Sequence, residues 1–574
     1  MSMTQQEVFR MHWFARVLAI MAMISCLSIP AGVWSQETSP DVDTGVGIPE
    51  VLRINEEIRK VWVDYELSPS ARATDGEWCR RVYLDLIGRV PSVQELNEFL
   101  TSSDEGKRKK LVNTLLYDEE FTELYANNWT TLWTNVLIGR SGGSEQNSLT
   151  NRAGLQKYLR DSLARNKPYD KMAYELVTAT GSNTPGMEGF NGAVNFLSMK
   201  VNAENATQAT AETSKVFLGL QVQCTQCHNH PFNEWKQQKF WEMNAFFRQT
   251  RSLRRFTPGT RDVSGAELVN ENFAGEGLSP DPEEADIYYE LRNGLTRVAY
   301  PVFVDGTEIP KSGYLQDVVR RTELGDLIRE SEYLSKMAVN RLWAHFLGYG
   351  FTKPIDDMGP HNPPTHPELL DYLAKQLEAK SFNLKDVISW IVLSEPYALS
   401  SRTNSTNVTV DDPLLGETPK FSRFYLRQMR AEELYESLLV ATQAHKTRGS
   451  YEEQEKTKAQ WLDQFVTAFG NDDGGEATTF NGTIPQALMM FNGDLVKKAT
   501  STAEGSFLYT IAHSKLKNPQ KINYLFRAAL SRNPTKMEVT VANKLLLARK
   551  GDTAAALQDI WWAVLNSNEF IINH

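Results

Sequence analysis

The sequence predicts a mainly α-helical protein in which a small connector with short strands joins two helical domains. Over most of the chain, apolar residues recur near the 3.6-residue period of helices that bury one face. This period fades over residues 251–320, where proline, glycine and acidic residues become frequent. With 574 residues the chain is also too long for one ordinary hydrophobic core, so more than one domain is expected.

The N-terminus has the pattern of a secretory signal. Two arginines precede an apolar run over residues 17–29, which is too short for a membrane span of about 20 residues. Residues 1–35 are therefore predicted as a cleaved signal peptide and residues 36–49 as a linker, which places the protein in the periplasm or cell envelope. An uncleaved anchor and a lipidated Cys26 are the alternatives. No later segment approaches membrane-spanning length.

Residues 50–250 are predicted as the first helical domain. Gly88 is placed to end the helix that contains Arg81, because glycine adopts the left-handed conformation found at helix ends. Ser92 with Glu95 three residues later is typical of a capping box, so a new helix is expected there. Further helices are predicted over Asp118–Trp133 and residues 205–222.

The connector and the second helical domain follow. Residues 251–320 are predicted as the connector, with a strand over Val298–Val304 that enters a turn at Asp305-Gly306. Residues 321–574 are predicted as the second domain. Its expected helices are Leu334–Phe346, His366–Lys380, Phe382–Leu393, Ser422–Ala441 and Thr553–Leu565, with loops over residues 403–420 and 470–482.

The most specific chemical motif is Cys224-Thr-Gln-Cys227-His228. Two thiols three positions apart, with a histidine directly after the second, form the attachment pattern of c-type haem. The cysteines would form thioethers to the porphyrin, and His228 would be the proximal iron ligand. The chain has only four cysteines and nine histidines, so chance explains the pattern poorly. Because c-type haem is attached outside the cytoplasm, the predicted export agrees with this interpretation.

Two other interpretations of the motif stay open. Cys224 and Cys227 could form a short, strained disulfide in an oxidising compartment. Alternatively, the two thiolates with His228 and His230 could bind zinc tetrahedrally in a tight knuckle. Cys79 lies in an apolar helical pattern and is predicted as a small buried core residue.

A haem at this motif needs a second axial ligand unless its iron is five-coordinate. Met199 and Met243 are the nearest methionines in sequence. His230 is too close to His228 to reach the opposite face and is interpreted as orienting the loop. Aromatic residues after the motif either shelter a haem face or pack in the core. They are Phe232, Trp235, Phe240, Trp241, Phe246 and Phe247.

A second polar cluster lies in the second domain. Asp356, Asp357 and His366 are its catalytic candidates, because carboxylates and imidazoles bind divalent metals or transfer protons. The structural alternative is that the aspartates cap a turn or pair with Arg341, and that His366 begins a helix. The same stretch also contains His345, which could pack on a helix face, together with His361 and Glu368.

The overall charge and the absence of other motifs exclude several functions. The net charge of −10 leaves no basic excess to neutralise phosphates, so nucleic acid is not an expected partner. The sequence has no P-loop, no dinucleotide-binding glycine pattern, no Gly-x-Ser-x-Gly elbow and no His-Glu-x-x-His helix.

Several segments together resemble a known family, in order along nearly the whole mature chain. They are Arg81–Pro91, Phe217–Phe232, Asn340–Gly350, Asp356-Asp357, Asn362–Leu370, Ile484–Gly493 and Trp561–Phe570. These segments are similar to the exported planctomycete cytochrome-like (PSCyt) domain followed by its companion PSD domain, known as domains of unknown function 1549 and 1553. The cytochrome-like name of the family refers to the same Cys-x-x-Cys-His motif.

Three functions are therefore expected as alternatives. The first is an exported envelope protein that binds haem c through Cys224, Cys227 and His228, for electron transfer to a redox partner or for small-ligand redox chemistry. The second is a polysaccharide-processing or hydrolytic factor that uses the cluster around Asp356 and His366. The third is a non-catalytic envelope binding module in which the cysteine pair is structural.

Overall fold

Helices dominate the structure, which confirms the predicted mainly α class. The computed structural model describes residues 47–145, 147–202, 204–276, 280–444, 450–469 and 484–574. The predicted signal peptide, Cys26, most of the predicted linker and the predicted loop 470–482 lie outside these residues. The described residues from Gly47 to His574 belong to one compact unit.

The helices before the connector are α1 Pro49–Asp64, α2 Asp75–Ile87, α3 Val93–Thr101, α4 Lys107–Tyr117, α5 Glu119–Ile138, α6 Arg152–Ala164, α7 Tyr169–Thr178, α8 Thr207–Thr213 and α9 Gln237–Asn244. The next group is α10 Arg320–Glu330, α11 Glu332–Leu347, α12 Pro367–Ala379, α13 Leu384–Val392, α14 Glu395–Ala398 and α15 Asn407–Val410. The last group is α16 Ala431–Thr442, α17 Tyr451–Phe469, α18 Ile484–Asn492, α19 Asp494–Ala499, α20 Phe507–Ala512, α21 Asn518–Leu530, α22 Lys536–Ala548, α23 Thr553–Leu565 and α24 Asn568–Ile571.

The strands are short and form three antiparallel sheets. They are β1 Gly181–Ser182, β2 Thr250–Phe256, β3 Val263–Asn270, β4 Ile287–Glu290, β5 Thr296–Ala299, β6 Arg427–Gln428 and β7 Ile572–Asn573. The β1-β3-β2 sheet and the β4-β5 hairpin include the strands of the predicted connector, whereas β6 pairs with β7 near the C-terminus.

Local capping signals act as the sequence predicts. Gly88 ends α2 in the left-handed conformation, with φ of +74°. The Ser92 side chain accepts from the backbone N–H of Glu95, and the Glu95 side chain accepts from the backbone N–H of Ser92, which completes the capping box.

The helix after residue 205 is shorter than predicted. It widens into a π turn over Ser214–Leu218 and ends at Gly219, which has φ of +66°.

Two predicted elements differ from the structure because distant residues hold the chain. The helix expected from Ser422 starts only at Ala431. Asp411 accepts hydrogen bonds from both the backbone N–H and the hydroxyl of Ser422, and β6 then pairs with β7. The strand expected over Val298–Val304 ends at Ala299, because proline at position 301 interrupts regular pairing.

Buried arginines attach the connector to the helices. The Arg320 guanidinium donates to the carbonyl oxygens of Ala285 at 2.7 Å and Lys311 at 2.6 Å. Arg321 donates to the carbonyl oxygens of Val177 at 2.8 Å and Ala179 at 3.0 Å, at the end of α7. These bonds satisfy both the buried cations and carbonyl groups that would otherwise lack partners.

The hydrophobic cores combine residues from both predicted domains. The largest core runs from Val51 in α1 to Tyr425, and so includes helices on both sides of the connector. A second core joins Leu84 and Val90, from the first region, to side chains between positions 429 and 570. Because each of these cores contains residues from both predicted domains, packing does not mark a boundary between the domains. The predicted boundaries therefore stay a prediction.

A buried polar network around Asp85 links the two cores. Its carboxylate accepts hydrogen bonds from Arg427 at 2.5 Å, the Tyr397 hydroxyl at 2.6 Å and the Asn573 amide at 2.7 Å. Burial raises the pKa of Asp85, and the charge of Arg427 and the hydrogen bond from Tyr397 oppose that shift. On the same helix, Arg81 donates to the carbonyl oxygens of Tyr397 and Leu399. Helix α2 thereby holds three segments that are far apart in sequence.

No helix within the described ranges combines the length and apolarity needed to cross a bilayer.

Removing the central carboxylate should destabilise the fold strongly. Asp85→Ala leaves Arg427 buried without its counter-charge, a change that typically costs about 3–5 kcal/mol. We expect a loss of this order in the free energy of unfolding, measured by denaturant titration. Asp161→Ala is the matched control, because Asp161 pairs with Lys157 on the exposed face of α6 and such pairs contribute less than about 1 kcal/mol. Equal losses in the two variants would contradict the central role of Asp85.

Candidate functional site

The Cys-x-x-Cys-His motif forms a surface turn with both thiols available. Residues Gln223–Gln226 form one 3₁₀ turn, and the side chains of Cys224 and Cys227 are free and exposed. Thr225 between them is buried, and its hydroxyl donates to the carbonyl oxygen of Val222 at 2.6 Å. The turn is thus anchored through Thr225 while both sulfur atoms face solvent.

Helix α9 holds the turn from the other side. The Gln237 amide donates to the Gln226 carbonyl oxygen at 3.2 Å, and the Trp241 indole donates to the same oxygen at 3.1 Å. The backbone N–H of Gln237 donates to the Asn229 side chain at 3.0 Å. These bonds fix the backbone on both sides of Cys227 and His228.

The two histidines of the motif have different hydrogen-bond roles. The Nδ1 atom of His228 lies 2.7 Å from the carbonyl oxygen of Asn229, which can only accept, so Nδ1 carries the proton and Nε2 keeps a free lone pair. In contrast, Nδ1 of His230 accepts from the backbone N–H groups of Phe232 and Asn233, at 3.3 and 3.2 Å. The neutral ring of His230 therefore carries its proton on Nε2. The neutral His228 ring therefore leaves Nε2 without a proton, whereas the His230 ring holds the loop through Nδ1.

The second polar cluster lies directly beside this turn. The Gln221 amide donates to Asp356 Oδ1 at 2.7 Å, and Lys215 Nζ lies 3.7 Å from Asp356 Oδ2. The backbone N–H of Met358 donates to the Gly219 carbonyl oxygen at 2.7 Å. The structure therefore brings together the motif segment and the Asp356 segment, which the sequence predicts as separate sites.

His361, in the loop between α11 and α12 (the second loop), also lies close to the motif. Its ring centroid lies 6.2 Å from that of His230, and its Nε2 atom lies 3.1 Å from Asp357 Oδ1. That contact does not have the geometry of a hydrogen bond, and within the described residues both ring nitrogens are buried without a hydrogen-bond partner. A buried polar group without a partner costs about 1–3 kcal/mol. From the sequence, His361 belongs to the polar cluster of the second domain but is not among its predicted catalytic residues.

His366 does not join this site. Its ring packs against Phe351 and Phe421, with centroids 5.9 and 5.5 Å away, and its Nδ1 atom lies 2.7 Å from the hydroxyl of Thr365. Burial lowers the pKa of His366 from 6.5 to about 4. The residue is a core histidine at the start of α12, as the structural alternative proposed.

The surroundings of the remaining polar candidates are structural. The ring of His345 packs against Trp129, with centroids 5.2 Å apart. Desolvation of the ring together with the charges of Arg427 and Arg430 holds the pKa of His345 well below the ordinary value. Arg341 donates to the Val216 carbonyl oxygen at 3.5 Å. Glu368 is exposed in the first turn of α12.

The predicted methionine ligands and aromatic shelter are largely elsewhere. Met243 is 2% exposed and belongs to the largest core, whereas Met199 is exposed. Among the aromatic residues, Phe240, Phe246 and Phe247 are core residues. Phe232 is 86% exposed beside the motif, an unusual position for a large apolar ring.

The part of the chain that the structure describes contains no group of three or more His, Cys, Asp or Glu side chains placed to hold a metal ion.

The fold and the site define a mainly α-helical protein in which a surface Cys-x-x-Cys-His turn adjoins a loop of the second helical region. Residues 53–252 match PSCyt2, described as a protein of unknown function (DUF1549). Residues 320–546 match PSD1, described as a protein of unknown function (DUF1553). The chain therefore contains both of these domains in the predicted order, and the predicted resemblance is confirmed. No curated protein and no solved structure matches it.

Breaking the contact between the two loops should loosen the motif. Asp356→Ala removes the acceptor of the Gln221 amide, and a hydrogen bond of this kind contributes about 0.5–1.5 kcal/mol. We expect amide hydrogen exchange over residues 219–230 to become faster by up to about tenfold. Glu368→Ala, which removes an exposed carboxylate nearby in sequence, should leave the exchange unchanged. Unchanged exchange in Asp356→Ala would show that the motif turn does not depend on the second loop.

The buried His366 should make the protein sensitive to mild acid. The folded protein binds a proton at His366 more weakly than the unfolded chain, so acidification from pH 6.5 towards 4 favours unfolding. From pH 7 to pH 5 this residue should remove on the order of 2 kcal/mol from the free energy of unfolding. His366→Gln should lose that part of the pH dependence, measured by denaturant titrations at both pH values. The exposed His513→Gln variant should retain it, and identical pH profiles for wild type and His366→Gln would contradict the assignment.

Proposed function

We propose that this protein binds haem c covalently through Cys224 and Cys227, with His228 as an axial ligand of the iron. In this proposal residues 1–35 direct export, and the mature protein works in the periplasm or cell envelope. It exchanges electrons with an envelope redox partner or performs redox chemistry on a small ligand.

The observation that supports this proposal most directly is the state of His228. Its Nδ1 proton faces the Asn229 carbonyl oxygen, so the Nε2 lone pair is available for a metal. This is the arrangement in which a second hydrogen bond fixes the tautomer and orientation of a metal-ligating histidine. The same turn presents two free, exposed thiols on a backbone anchored by α9.

The residues present fit haem attachment chemically. Each thiol would add across one vinyl group, with the S–H bond breaking and one C–S and one C–H bond forming, so no oxidant is required. Asn229 would hold the imidazole, and exposed Phe232 would offer apolar contact. When bound, haem would supply a redox-active iron whose potential depends on its ligands and burial.

The competing interpretations have less support. A zinc knuckle would need His230 as a ligand, but its Nδ1 already accepts two backbone hydrogen bonds and its Nε2 bears the proton. A hydrolytic site would use His366, which lies in the core. A disulfide would require a bond between Cys224 and Cys227, whose thiols are free in the structure.

The test is to express the protein in a host that matures c-type haem and to stain for haem after denaturing electrophoresis. The wild type should give a stained band and a haem spectrum, because covalent haem survives denaturation. Cys224→Ser with Cys227→Ser should lose both. Cys79→Ala is the matched control, because Cys79 lies in the core away from the motif, and it should retain both signals.

A colourless wild type, from a host shown to mature a known cytochrome, would contradict the proposal. Elemental analysis of the same sample would then separate the remaining alternatives. One zinc per chain would favour the knuckle, whereas loss of free thiols without metal would favour the disulfide.

A further inference from the structure

We propose that His361, from the second domain, supplies the second axial ligand of the iron that His228 holds. The inference rests on the proposed function and extends it, because the haem site would then be built from both domains of the family. In this proposal His361 takes the role for which Met199 and Met243 are the candidates from the sequence.

The loop of His361 is attached to the motif segment. Hydrogen bonds join Met358 to Gly219 and Asp356 to Gln221, both at 2.7 Å. The contact between Gly219 and the second loop is close. A Cβ atom on Gly219 would lie 2.5 Å from Cε of Met358. The position of His361 relative to the motif is therefore set by backbone and side-chain contacts and not by a free loop.

The polar groups of the His361 ring are unsatisfied in the described part of the chain. Among the described residues both of its nitrogens are buried and lack a hydrogen bond. Its nearest aromatic neighbour across the junction is His230 of the motif loop, 6.2 Å between centroids. In the same motif loop, the Asn233 side-chain nitrogen is also buried without a partner. A group that binds at this junction would give the imidazole the partner that the protein does not provide.

The carboxylate of Asp357 lies beside the His361 ring. Its Oδ1 atom lies 3.1 Å from Nε2 of His361. A carboxylate beside one nitrogen of a ligating histidine fixes the ring and raises the basicity of the other nitrogen.

The other candidate ligands are engaged elsewhere. Met243 is in the core, and Met199 is exposed. Met358 is buried and packs against Gly219, where its terminal methyl group fills the space beside the glycine. His230 holds its own loop through Nδ1. Among the described residues at the junction, His361 is a histidine whose ring nitrogens make no hydrogen bond.

A histidine on each side of the iron would determine the type of chemistry. A six-coordinate iron has no open position for a small ligand, so the site would favour electron transfer. Of the two activities in the proposed function, this ligand would thus favour exchange of electrons with a partner over redox chemistry on a small ligand.

The test uses the full-length protein loaded with haem, with the spin state of the ferric iron read by electron paramagnetic resonance and visible spectroscopy. Wild type should be low-spin. His361→Ala should lose the low-spin signal and become high-spin, and added imidazole should restore it. His361→Met should remain low-spin with a shifted spectrum, because methionine also ligates haem iron. Met358→Leu is the control, and it should keep the wild-type signal.

The outcomes separate this inference from the proposed function. If the wild type binds no covalent haem, the proposed function is wrong and this inference is wrong with it. If haem is bound and His361→Ala stays low-spin, only the inference is wrong. A low-spin signal lost in Met358→Leu and kept in His361→Ala would assign the ligand to Met358. If His361→Ala fails to load haem, the low-spin His361→Met variant still supports the inference and a high-spin one overturns it.

Discussion

The structure depends on one buried carboxylate and the groups that neutralise it. Asp85 in α2 is bound by Arg427, Tyr397 and Asn573, which come from three distant parts of the chain. A charge removed from water must be paired and hydrogen-bonded, or the fold loses several kcal/mol. This requirement fixes the C-terminal strand β7 and the segment after α14 against the first helical region. The two hydrophobic cores are joined at this point.

Buried arginines extend the same principle to the connector. Arg320 and Arg321 satisfy carbonyl oxygens of the connector and of the end of α7, at the first residues of α10. Because α11 follows α10 directly, these bonds help to set where the loop after α11 lies. That loop carries Asp356 and His361, so the polar contacts of the connector contribute to the geometry of the site.

The candidate site is a product of both matched domains. The thiols and His228 lie in the region that matches PSCyt2, whereas Asp356, Asp357 and His361 lie in the region that matches PSD1. Hydrogen bonds from Gln221 to Asp356 and from Met358 to Gly219 join the two regions.

The sequence by itself determined the features that depend on near neighbours. The helix end at Gly88, the capping box of Ser92 and the Cys-x-x-Cys-His pattern are all local, since each involves residues within a few positions. Only the tertiary structure decided that His366 lies in the core, that the helix expected from Ser422 begins at Ala431, and that His361 meets the motif turn. Burial, pairing with distant acceptors such as Asp411, and contact between separate loops depend on residues far apart in sequence, and no local pattern encodes them.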